Sequence, residues 1–199
     1  MKPFLLLLVV LVRRRLRNEP DEELLRRYRD GEAEAIGALY DRHGQFLLRY
    51  VGMHMGSWAH AEDVLQEAFA RLMSVVEQGH EIQNARAFLT VTCRNLAIDQ
   101  ARRGKRFQGP SLDDDPPPAD QPRELRNPEG DATDREFALR LQAALDALPD
   151  EQRDAFLMKE SLGYKFREIA ELTGVTESTV KSRLRYALTK LQAELGDYA

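Results

Sequence analysis

The sequence predicts an all-α fold built as two small helical domains. Apolar residues recur every three or four positions along most of the chain, the period of a helix with one buried face. No convincing strand pattern, alternating apolar and polar residues, is found. One segment, 109–133, contains six of the nine prolines and divides the 199 residues into two blocks. The expected organisation is an amino-terminal extension over 1–20, a first domain over 21–108, a linker over 109–133 and a second domain over 134–199.

The extension contains nine apolar residues, Phe4 to Val12, followed by Arg13, Arg14, Arg15 and Arg17. As a helix, nine residues reach about 14 Å, half of a bilayer core of about 30 Å. The run is too short to span a membrane. It also lacks the small-residue cleavage site of a secretory signal. A disordered extension is expected, with a membrane-surface anchor as the rival reading.

Four helices are expected in the first block. Asp21–Arg29 is short. Glu32–Met55 carries Ile36, Leu39, Tyr40, Leu47, Leu48 and Val51. Ala59–Val76 has a broad apolar stripe of Val64, Leu65, Ala68, Phe69, Leu72, Val75 and Val76, and the opposite face shows Asp63, Gln66, Glu67, Arg71 and Ser74. On Ala85–Arg103, Phe88, Thr92, Asn95, Asp99 and Arg102 line up at steps of four, three, four and three, with Arg103 beside them. An aromatic, amide and guanidinium stripe suits unpaired bases, by stacking and edge hydrogen bonds. An ordinary amphipathic helix with Phe88 packed inward fits the spacing equally well.

The linker cannot build a core. Between Gly109 and Asp134 there are eight acidic residues and two arginines, so an extended, mobile segment is expected. In the second block, Asp134–Ala147 forms a helix that Pro149 ends, and Asp150 starts the next. A helix-turn-helix follows. Phe166, Ile169 and Ala170 give its first helix an apolar face, and Gly174 suits the left-handed residue that terminates it. Thr176 caps the second helix, whose buried stripe is Val180, Leu184, Ala187, Leu188 and Leu191. The other side presents Ser178, Lys181, Ser182, Arg185 and Thr189, flanked by Arg183 and Tyr186. From Lys181 to Lys190 there are four basic residues and no acid, a pattern suited to phosphates and guanine edges. A solvated face of a packing helix is the bland alternative.

Overall charge hides this. The chain carries 29 Lys and Arg against 33 Asp and Glu, a net charge of −4, although nucleic-acid binders are usually basic. The charges are segregated: Arg94 to Arg106 holds five basic residues and one acid. The single cysteine, Cys93, excludes an internal disulfide and a cysteine metal cluster, which suits a reducing cytoplasm. It shares a face with Leu89, Leu96 and Ala97 and reads as a core residue. No glycine-rich phosphate loop occurs, and His54 and His60 lie six apart, a poor spacing for a metal on one helix. Neither an enzyme nor a resident cofactor or metal is expected.

Three segments, in order, carry a family resemblance. They are Ala61-Glu-Asp-Val-Leu-Gln-Glu-Ala-Phe69, then Phe88-Leu-Thr-Val-Thr-Cys-Arg-Asn-Leu-Ala-Ile-Asp99 with Arg102-Arg103, then Leu148-Pro-Asp-Glu-Gln-Arg153 leading to Thr179-Val-Lys-Ser-Arg183. Over about Asp21 to Leu195 the chain resembles a bacterial RNA polymerase sigma factor of the extracytoplasmic-function (ECF) class. The resemblance implies that the first domain is sigma region 2 and the second sigma region 4. It implies that Asp63, Gln66 and Glu67 meet the coiled coil of the polymerase β′ clamp and that the second domain sits on the β flap. It implies that Phe88, Arg94, Asn95, Asp99, Arg102 and Arg103 hold the unpaired −10 element. The recognition helix, with Ser178, Lys181, Ser182, Arg183, Arg185 and Tyr186, would read the −35 duplex. It further implies core polymerase and promoter DNA as partners, an anti-sigma factor that could hold the protein at the inner membrane face, a cytoplasmic location and no small-molecule substrate.

Two positions depart from the pattern: Phe88 stands where many relatives have Trp, and Lys165 where many have a capping Ser. Lys165 has no side-chain acceptor, so the helix it precedes needs another partner. Magnitudes favour a subunit over a lone melter of DNA. Opening a dozen steps costs on the order of 17 kcal/mol, at about 1.4 per step. A stacked base returns about 1–3 kcal/mol. The rival function is a stand-alone helix-turn-helix regulator, which binds its operator without polymerase.

Overall fold

The computed structural model describes residues 16–107 and 132–196. The apolar run Phe4–Val12 and the acidic proline-rich segment lie outside the described residues. So do the side chains of Arg102 and Arg103.

Eight helices and no strand are found among the described residues. In the first domain they are α1 (Asp21–Arg29), α2 (Glu34–Met55), α3 (Trp58–Glu77) and α4 (Ala85–Phe107). In the second they are α5 (Ala132–Asp146), α6 (Asp150–Glu160), α7 (Phe166–Thr173) and α8 (Glu177–Leu195). No helix among the described residues is long and apolar enough to cross a membrane.

Helix α1 is stabilised by its charge order. Asp21, Glu22 and Glu23 occupy the positive first turn, and Arg26, Arg27 and Arg29 the negative last turn. Leu24 and Leu25 point into the core. Helix α2 ends at Gly56, whose φ of +67° and N–H bond to the Gly52 carbonyl at 2.9 Å form a left-handed cap. Gly52 permits a close crossing, because a Cβ there would stand 2.6 Å from the Trp58 ring. The stripe expected on α3 is buried, with Ala61, Val64, Leu65, Ala68, Phe69, Leu72 and Val76 inside. Helix α4 starts where the Asn84 side chain accepts the Ala87 N–H at 2.9 Å. Its core face is Leu89, Cys93 and Ala97. Burial pushes the Cys93 thiol up to about 12, so it remains protonated and unreactive.

The second domain follows local chemistry closely. Gly174 has φ +69°, and Thr176 Oγ1 accepts the Thr179 N–H at 3.2 Å. Lys165 gives α7 no side-chain cap, and Glu168 of the first turn instead accepts the Lys165 backbone N–H at 2.6 Å, the reciprocal half of a capping box.

Two expectations need correction. The folded first domain begins before Asp21: Leu16 is buried in the core, and the Arg17 and Glu19 carbonyls accept from the Arg42 guanidinium. Leu188 is exposed, because one residue beyond buried Ala187 the helix has turned about 100° away from the core. The two domains also pack directly on each other, α2 against α5 and α6, and α4 against α7.

Candidate nucleic-acid interface

Helix α3 presents Asp63, Gln66 and Glu67 to solvent, opposite the buried stripe. Glu67 accepts from Arg71 Nε at 2.8 Å in a pair whose members are both about half exposed. Such a pair contributes little to folding. The carboxylates are therefore available to a basic partner.

Helix α4 divides the expected stripe. Asn95 and Asp99 are exposed. Phe88 is half-buried against the core, and Thr92 donates its hydroxyl to the Phe88 carbonyl at 2.8 Å. Among the described side chains of the stripe, Asn95 and Asp99 face solvent, and the Asn95 amide can both donate and accept. Arg94, one residue away, is held elsewhere: its guanidinium pairs with Asp154 of the second domain.

On α8, Ser178, Lys181, Ser182, Arg185 and Tyr186 are exposed and Arg183 is half-buried. Lys181 Nζ is 3.8 Å from Glu177, a loose exposed pair, and the Arg185 guanidinium lies 5.3 Å from the Tyr186 ring centre. Ser178 Oγ is 2.8 Å from Thr176 Oγ1, beside the helix cap. Val180, Leu184, Ala187 and Leu191 anchor the opposite face. Basic and hydroxyl groups are thus fixed on one side of a rigid helix, which is how a recognition helix meets a major groove.

A network that the sequence did not disclose sits between the domains. The Asp154 carboxylate, 1% exposed, accepts from Tyr50 Oη at 2.9 Å and from the Arg94 guanidinium. His54 Nε2 lies 3.0 Å from the same oxygen as Tyr50. Burial acts to raise the Asp154 carboxyl, but the His54 ring and the Arg94 charge outweigh it and hold it below the usual carboxylate range. Burial, with Asp154 nearby, pushes the Tyr50 phenol well above its ordinary value, so it stays a donor. Beside this network, Thr90 Oγ1 is 2.9 Å from Tyr164 Oη, and Arg86 donates to the Leu162 carbonyl. Among the described residues, no group of three His, Cys, Asp or Glu is arranged to hold a metal.

The family model for sigma-70 region 2 matches residues 39–107, and that for sigma-70 region 4 matches residues 138–191. The chain is 36% identical over 168 residues to the ECF RNA polymerase sigma factor SigL of Mycobacterium tuberculosis, covering 82% of this chain and 90% of SigL. The chain belongs to the ECF class of RNA polymerase sigma factors. Solved structures agree on the fold. CnrH in complex with the cytosolic domain of CnrY matches with a TM-score of 0.65 at 20% identity, over 90% of this chain and 99% of CnrH. The sigma factor RpoE bound to the anti-sigma factor NepR, from Bartonella quintana, matches at 0.61 and 21%, over 83% and 99%. As an ECF sigma factor, the chain binds core RNA polymerase and promoter DNA and directs initiation. The region 2 match takes in α3, α4 and α2 from residue 39, and the region 4 match takes in α6, α7, α5 from residue 138 and α8 as far as residue 191.

Proposed function

We propose that this ECF sigma factor selects promoters through three separate faces. The α3 carboxylates Asp63 and Glu67, with Gln66, contact the β′ clamp coiled coil of core polymerase. Asn95, with Asp99, Arg102 and Arg103, captures the unpaired −10 element. Lys181, Ser182 and Arg185, with Ser178, Arg183 and Tyr186, read the −35 duplex. The observation that carries this reading is the segregation of chemistry among exposed faces: acidic on α3, amide on α4 and basic on α8. The protein performs no catalysis in this reading and works in the cytoplasm, where its DNA and polymerase are.

An anti-sigma partner is part of the proposal. Two relatives of the same fold are described in complex with CnrY and with the anti-sigma factor NepR. An open cleft of about 440 Å³ between α2 and the turn after α6 is lined by Arg42, His43, Phe46, Arg86, Ser161 and Leu162. The Phe46 ring, 53% exposed, offers it an apolar contact.

Charge reversal on α3 tests the polymerase face. Asp63→Lys with Glu67→Lys should weaken core binding by about ten-fold or more, since like charges then oppose each other at the contact. The melting temperature should hardly move, because exposed pairs contribute at most about 1 kcal/mol. Fluorescence titration of labelled sigma factor with core enzyme reads the first effect and circular dichroism the second. A collapse of the fold with unchanged core affinity would assign these carboxylates to structure.

A further inference from the structure

The open cleft between α2 and the turn after α6 combines apolar surface with a free acid. The buried side chains of Leu47 and Leu162 and the more than half exposed ring of Phe46 give its wall an apolar surface. Its two arginines are already committed. Arg42 pairs with Asp21, and Arg86 donates to the Leu162 carbonyl and lies 4.2 Å from the Tyr164 ring centre. Glu160, exposed on the rim, makes no ion pair among the described residues. An occupant that fits is therefore apolar along most of its length and basic at one end.

The chain enters the fold at the edge of this cleft. Arg42 Nη2 donates to the Arg17 carbonyl at 2.9 Å and to the Glu19 carbonyl at 2.6 Å, and His43 Nε2 lies 2.7 Å from Asp21. Arg42 and His43 both line the cleft, and Leu16 is buried in the core. The backbone just after the apolar run Phe4–Val12 is thus fastened to the cleft's own side chains. Val12 precedes Leu16 by four residues. Four residues of extended chain reach about 14 Å at most, little more than the diameter of one helix, about 10–12 Å.

The run has the chemistry that the cleft lacks. Nine consecutive apolar residues are followed at once by Arg13, Arg14 and Arg15. The run is too short to cross a bilayer, and contiguous apolar surface of this kind marks an interaction. A partner on a short tether is present at an effective concentration of roughly millimolar, far above that of a free protein. From this juxtaposition we infer that Phe4–Val12 occupies the cleft in the free chain, covering Phe46 and bringing the following arginines to Glu160. The inference is independent of the anti-sigma reading of this face and adds one step to it: a partner that reaches Phe46 first displaces the run.

Spin labelling tests this on the full-length chain. Leu8→Cys takes the label alone, because Cys93 is buried and protonated. In isotopically labelled protein the spin label should erase the amide signals of residues 45–48 and 161–163, on the two sides of the cleft. Phe46→Ser, at a position already exposed, should restore the signals of residues 161–163 and leave the rest of the spectrum in place. Leu6→Asp with Val10→Asp should do the same from the side of the run, and it serves if Phe46→Ser disturbs α2. Signals at 161–163 that the label never touches overturn the inference. So does erasure that persists in both variants, which is the mark of tethering alone. Erasure that appears only between a spin-labelled chain and a separate isotopically labelled one assigns the run to a second copy and overturns it too. Vesicles of phosphatidylglycerol and phosphatidylcholine should leave the pattern unchanged. Sedimentation of the chain with the vesicles, with the 161–163 signals restored, would assign the run to an anionic lipid surface instead.

Discussion

Replacing Arg153 with alanine should cost about 3–5 kcal/mol of stability, because several buried carbonyls lose a charged donor at about 1–3 kcal/mol each. The side chain is 9% exposed and gathers four carbonyls. Its Nε donates to Leu145 O at 2.8 Å, and its Nη2 to Asp146 O at 2.9 Å and Leu148 O at 3.1 Å. Its Nη1 donates to His54 O of region 2 at 2.9 Å. The Leu145 and Asp146 carbonyls lie in the last turn of α5, where the helix runs out of its own donors, and only Leu145 O finds a further one, the Leu148 N–H at 3.1 Å. Alanine would leave the His54, Asp146 and Leu148 carbonyls without this donor in a closed interior, where each unsatisfied acceptor costs about 1–3 kcal/mol less whatever water reaches it. Lysine should not rescue, because a compact ammonium cannot reproduce the planar fork that spans the four acceptors. Thermal denaturation followed by circular dichroism should show a melting temperature lower by on the order of 10 °C. A shift of one or two degrees for the alanine variant would mean that the carbonyls find other donors.

Removing both Lys181 and Arg185 should abolish most discrimination at the −35 element while leaving the fold intact. Both are exposed on α8, and neither contributes to the stripe of Val180, Leu184, Ala187 and Leu191. Arg185→Ala should cost about 1–3 kcal/mol and relax preference at one base position if its fork meets a base edge. Lys181→Ala should weaken binding across all sequences and lower the salt dependence by about one unit if it meets a phosphate. Binding of holoenzyme to promoter fragments with altered −35 elements, at several salt concentrations, separates the two roles. Unchanged affinity, sequence preference and salt slope in the double variant would remove α8 from the reading.

Much of the fold was legible because its signals are local. Gly174 and Thr176 mark their turn by conformational and capping preferences that operate within three residues. The α3 stripe follows from periodicity alone, and with it the exposure of Asp63, Gln66 and Glu67. Periodicity is coarser at its edges. It included Leu188 in a buried stripe that ends one residue earlier, and it could not show that Leu16 packs into region 2. The polar contact between the domains had no local signal. Tyr50 and Asp154 are 104 positions apart, and each sits among apolar neighbours whose pattern reads the same with or without a partner. The family resemblance implied a DNA contact for Arg94. Only the packing of α6 on α2 and α4 shows the carboxylate that holds it.

In the proposed reading this chain gives core polymerase its choice of promoter, and Asn95 reads one unpaired base in making it. Transcription in vitro from templates randomised across both elements, with core enzyme and either wild type or Asn95→Ala, tests it most directly. Wild type should yield transcripts only in its presence, from templates sharing one −35 and one −10 sequence. Asn95→Ala should keep the −35 preference, lose output from duplex promoters more than it loses core affinity, and change preference at a single −10 position. Transcription that does not depend on the chain would contradict the claim as a whole, and identical −10 profiles for the two proteins would contradict the assignment of Asn95.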